Sequence, residues 1–91
     1  MTVTHRIINE RVYQKLIVHR FQLGDVEDPE IYAAGPIWDW QQSESGRFVM
    51  ENAAEPPTYH QNFDQFHYGY QYVITAWLAD SDATYFCLRW K

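Results

Sequence analysis

The chain has 91 residues, twelve acidic against seven basic side chains for a net charge of −5, and 46% hydrophobic residues. One domain over residues 1–91 is expected, with a thin core, because chains of this size hide only about 60 to 70% of the surface they expose when unfolded. The acidic balance removes the attraction to phosphate that dominates nucleic-acid affinity, which excludes nucleic acid as a partner, and nothing in the composition requires a cofactor for folding.

The opening MTVTHRIINE has no apolar stretch of signal-peptide length, and nowhere do about eighteen uncharged apolar residues follow one another, so a soluble chain without a membrane partner is expected. Residues 2–8 read as a short strand before an Asn9-Glu10 turn. Residues 11–23, RVYQKLIVHRFQL, read as a strand with Ile17, Phe21 and Leu23 on one face and Val12, Leu16 and Val18 on the other. Gly24 ends it. Asp28-Pro29 then predicts a helix start, with Asp28 as N-cap and Pro29 at the first helical position. Gly35-Pro36 should interrupt that helix.

From Pro36 to about Ala53, one wheel gathers Ile37, Trp38, Gln41, Phe48, Val49 and Ala53 on the half facing the sheet. Trp40 and Met50 fall among the charged residues of the other half and are expected to be exposed. Gly46 in this pattern implies close approach to the sheet. Pro56-Pro57 ends the helix, and residues 58–65 read as a polar connection.

Strict alternation follows. Phe66, Tyr68, Tyr70, Tyr72, Ile74, Ala76 and Leu78 share one strand face, and Val73, Thr75 and Trp77 the other. Asp80-Ser81-Asp82 reads as a turn, and residues 84–90 as the returning strand of a hairpin, with Tyr85 and Cys87 facing away from Phe86. Cys87, the single cysteine, suits a reducing compartment and reads as a small buried residue. The fold class is therefore α+β, in two layers. A largely antiparallel sheet of three strands, or four with residues 2–8, carries one interrupted helix on one face, in the order β-α-β-β.

Asp25 to Pro29, Pro36 to Gln42 with Gly46, Glu51 and Asn52, and Tyr68-Gly69-Tyr70 carry a likeness that spans residues 12–91. In these the chain resembles small uncharacterised proteins of tailed phages that infect marine cyanobacteria. The resemblance implies a viral accessory role, in the host cytoplasm or associated with the virion. It implies no activity.

His60, Asp64 and His67 form the nearest approach to a metal or acid/base cluster, although their spacing matches no common zinc pattern. The acidic run from Asp25 to Glu30 fits a helix start better than a calcium loop. A sheet with one face left bare by a single helix needs a cover, and a second copy supplies it by symmetry. The expectation is thus a non-enzymatic interaction module that forms a homodimer through its sheet and binds a host or phage protein, with Val73, Trp77, Tyr85, Trp40 and Met50 as candidate interface residues. The competing expectation is a small enzyme or ligand binder using His60, Asp64 and His67.

Overall fold

The alternation around Tyr72 to Leu78 produces the most deeply buried strand of the molecule, and both of its edges are taken. The computed structural model describes residues 5–8, 10–66 and 68–90. Along the chain these form β1 (His5–Ile8), β2 (Arg11–Gly24), α1 (Pro29–Gln42), α2 (Glu44–Asn52), β3 (Thr58–Asp64), β4 (Gly69–Ala79) and α3 (Asp80–Trp90). The strands make one four-stranded antiparallel sheet in the order β1-β2-β4-β3. The class is α+β.

Two expected assignments change. The hairpin partner of β4 is β3, which the polar composition of residues 58–65 had disguised as a connection. Residues 84–90, expected as the returning strand, belong to α3. The reason is edge occupancy: β2 pairs with one side of β4 and β3 with the other, so neither edge of β4 is left for the returning strand of a hairpin. The order is accordingly β-β-α-α-β-β-α rather than β-α-β-β. Of the expected strand over residues 2–8, His5–Ile8 forms β1; residues 2–4 and Asn9 lie outside the described residues. Phe66 and Tyr68 belong to the β3–β4 turn rather than to the strand.

A bulge corrects the faces read for β2. Leu16 pairs with Ala76 and Ile17 with Thr75, but His19 pairs with Ile74 and Phe21 with Tyr72, so one extra residue enters at Val18. An extra residue inverts the alternation beyond it. Leu16 and Phe21, expected on opposite faces, therefore share the face of Tyr72, Ile74, Ala76 and Leu78. Phe21 stacks on Tyr72 with ring centroids 5.5 Å apart.

All three helices contribute to the core over that face, where Val18, Trp40, Val49, Ile74, Ala76, Leu78, Ala83 and Phe86 form one buried cluster. α1 starts at Asp28-Pro29 as expected, although Asp28 accepts the first helical N–H groups through its backbone carbonyl and not its side chain. The helix runs unbroken through Gly35-Pro36. The backbone bond that Pro36 cannot donate is lost where Tyr32 and Gly35 are exposed and water can serve the freed carbonyl. The break comes at Ser43, whose hydroxyl accepts the Gly46 N–H at 3.1 Å and caps α2.

With the helix split there, a single wheel no longer holds. α1 turns Ala33, Ile37 and Trp40 inward, leaving Trp40 3% exposed and Trp38 60% exposed, the reverse of the expectation for both tryptophans. In α2, Val49 is buried and Phe48 and Ala53 pack against the core as expected. α3 buries Ala83 and Phe86 with Trp90 half-buried, a helical spacing that places Cys87 in the open. Gly46 owes its place to α1 rather than to the sheet: a Cβ there would stand 1.7 Å from the Trp40 carbonyl oxygen.

This contact sets a paired prediction. Gly46→Ala should lower the urea midpoint by the equivalent of about 3 kcal/mol, the upper range for forced overpacking. Gly35→Ala, whose new methyl meets nothing within 4 Å apart from its neighbours Ala34 and Pro36 and its own turn of helix, should shift stability by no more than about 1 kcal/mol, because the gain in helix propensity is offset by crowding against the Pro36 ring. Equal effects of the two would refute the close-contact account.

Candidate functional site

The sheet face opposite the helices presents Arg6, Tyr13, Lys15, Ile17, Arg20 and Gln22 from β1 and β2, in register with Gln71, Val73, Thr75 and Trp77 of β4. No member of the buried helix cluster reaches it. Thr75 is nevertheless buried, bonded through its hydroxyl to Thr58 of β3. Arg6 lies over the Trp77 ring, its guanidinium carbon 4.5 Å from the centroid, and also pairs with Glu55 at 2.9 Å. The face is mixed: half-buried apolar rings and aliphatic groups sit among three cations.

The expected interface residues are scattered by the fold. Val73 and Trp77 are on this face and half-buried. Tyr85 is exposed on α3, against Phe48 and Trp90. Met50 is exposed on α2. Trp40 is in the core, where it stacks on His19 at 5.9 Å and cannot serve a surface contact; its indole N–H has no hydrogen-bond partner. The five therefore do not make one surface.

His60 and Asp64 both belong to β3 and point to the uncovered face, four residues apart. At about 3.3 Å per residue the strand holds them roughly 13 Å from one another, too far to share an ion. His60 is exposed beside the Thr58 hydroxyl at 3.2 Å. Asp64 accepts from the Gln22 amide at 3.2 Å and from the Phe66 N–H at 3.0 Å. His67 lies outside the described residues. Among the described residues no group of three or more His, Cys, Asp or Glu side chains could hold a metal ion.

Asp64 instead belongs to an open depression of about 680 Å³ at the end of the sheet, which it lines with Arg20, Gln22, Phe63, Phe66 and Gln71. His60 is not in its lining. Sequence reading missed the depression because its walls come from β2, β4 and the β3–β4 turn, which meet only through pairing. A second, smaller depression lies at the start of α1, between Pro29, Glu30, Ile31 and Gln61 of β3. Close by, the Tyr72 hydroxyl donates to Gln61 at 3.0 Å. Burial, with the Glu30 carboxylate adding to it, holds the Tyr72 pKa above its ordinary value.

The chain matches no family model, no curated protein and no solved structure. Among the described residues no helix is long and apolar enough to cross a membrane.

One ionisable group couples the core to pH. His19 is half-buried against Trp40, and loss of hydration lowers its pKa from the ordinary 6.5. The unfolded chain then holds more protons than the folded one below pH 6.5, so the contribution of His19 to stability is present above 6.5 and is lost as pH falls through the folded value. Urea midpoints at pH 7.5 and 5.0 should therefore fall further for the wild type than for His19→Phe, which keeps a ring against Trp40. Identical falls would show that His19 protonates alike in both states.

Proposed function

We propose that the chain is a non-enzymatic, phage-type accessory protein, a two-layer interaction module that self-associates through its sheet. The observation that carries this reading is that the three helices share one core on one face of the sheet, while none of them covers the other face, with half-buried Val73 and Trp77 and exposed Ile17, or the outer edge of β3, with exposed Tyr59 and Phe63. Its shape agrees: the radius of gyration is 14.1 Å and the extents are 44 × 32 × 21 Å, against roughly 12 Å for a compact domain of this length. Such a slab has little interior for its surface, and association is the general remedy for a small core. Sedimentation equilibrium over a wide concentration range should show a reversible monomer–dimer equilibrium. A particle that stays monomeric at millimolar concentration would remove the reading.

A second reading is a binder of small polar ligands. It is favoured by the depression that Arg20, Gln22, Phe63, Asp64, Phe66 and Gln71 line. Ligand-observed NMR with a library of polar fragments should then yield hits whose signals are lost with Gln71→Leu. Hits unaffected by that change, or none at all, would end it.

A further inference from the structure

We propose that β3 pairs with β3 of a second copy, antiparallel about a twofold axis at Gln61, joining two four-stranded sheets into one of eight strands. The proposal rests on the self-association reading and names the surface responsible.

The two outer edges of the sheet are built differently. β3 ends the strand order, and its seven residues, TYHQNFD, are exposed apart from half-buried Asp64. They include no lysine, arginine or proline and pair with β4 in unbroken register. An edge of this kind offers a row of N–H and C=O groups that only another extended backbone matches. On the opposite side of the sheet, β1 carries Arg6, and β2 beyond Gln14, the partner of His5, carries Lys15 and Arg20 and is bent by irregularities at Ile17/His19 and Gln22/Gly24. Cations and bulges are the devices that block strand addition. Stacking two uncovered faces is disfavoured as well, because it would take the Arg6, Lys15 and Arg20 charges out of water against a second face carrying the same three cations.

The register follows from geometry. Residues along a strand turn their backbone groups to alternate edges, so an antiparallel twofold axis must pass through a residue position. Placing it at Gln61 keeps the whole strand paired. Tyr59 then stands opposite the partner's Phe63, His60 opposite the partner's Asn62, and Thr58 opposite the partner's Asp64. Tyr59 and Phe63, 36% and 50% exposed, both lie on the helix side and form aromatic pairs across the junction. On the other side His60 is diagonal to the partner's Asp64, and no two like charges stand directly opposite.

α1 extends the same surface. Ile31, Ala34 and Trp38 make an exposed stripe at helical spacing, with Ile31 71% exposed. Gln41 continues that side of the helix and donates to the Tyr59 hydroxyl at 3.0 Å, while Ile31 shares a depression with Gln61. The stripe thus flanks the β3 edge, where its twofold copy would cover it.

The test uses the full chain with Cys87→Ser to remove the exposed native thiol. Residues at the axis face their own copies with Cα atoms about 4.5–5.5 Å apart, within disulfide reach. Mild oxidation should therefore convert Gln61→Cys to covalent dimer, with much lower yields for His60→Cys and Asn62→Cys. In sedimentation, Gln61→Lys and Gln61→Glu should each weaken dimerisation about tenfold through like charges set opposite, with unchanged circular dichroism. Mixing the two should restore association, and Trp77→Lys on the uncovered face should leave it intact. A dimer that crosslinks best at residue 60 or 62, or that survives Gln61→Lys but not Trp77→Lys, overturns this pairing while self-association stands. A chain monomeric in every form overturns both.

Discussion

β4 is the constraint on which the rest depends. It is hydrogen-bonded along both edges, to β2 and to β3, and its Ile74 and Leu78 side chains are fully buried beneath the helices. Removing each of those side chains from water contributes about 1.5–3 kcal/mol, a large share of the margin available to a domain this small. Because both edges are filled, the chain that leaves Ala79 cannot pair and crosses the core face as a helix. Gln14 of β2 fastens the start of that helix through Asp80 at 2.9 Å. The placement of α3 is thus a consequence of pairing elsewhere.

The bulge at Val18 does for β2 what edge occupancy does for α3. Without it, Leu16 and Phe21 could not both face the core, and the His19 ring would not meet Trp40. Close backbone contacts fix the remaining geometry. Gly46 lets α2 start against the Trp40 carbonyl, and Gly69 lies against Gly24, where a Cβ would stand 2.4 Å from the Gly24 carbonyl carbon. Gly24 itself has φ of 80°, a backbone region that favours glycine. The first contact joins consecutive helices and the second joins β4 to the distant end of β2, and neither Gly46 nor Gly69 leaves room for a side chain.

The candidate surface is only partly legible in the sequence. Val73 and Trp77 could be assigned to one strand face because β4 alternates cleanly. Tyr85 reads as a strand residue, because Phe86, Leu88 and Trp90 alternate as cleanly as Ala83, Phe86 and Trp90 recur at helical spacing. The acidic Asp80-Ser81-Asp82 was the signal for a helix start, since negative charge favours the first turn. β3 was hidden by its polarity: an edge strand exposed on nearly every residue has no apolar alternation to betray it. The joining of Asp64 to Arg20 and Gln71 depends on strand order, which no local pattern encodes.

The residues alone determined the α+β class, the β4 strand and its inward face, the start of α1 at Asp28-Pro29 and the inward packing of Phe48 and Val49, because each follows from side-chain periodicity or cap chemistry within a few neighbours. Tertiary structure decided which strands pair, where β2 bulges, which of Trp38 and Trp40 is buried and whether residues 84–90 coil or extend. Those outcomes depend on competition for the edges and core face of β4, a strand with one partner next to it in the chain and the other far away near the start.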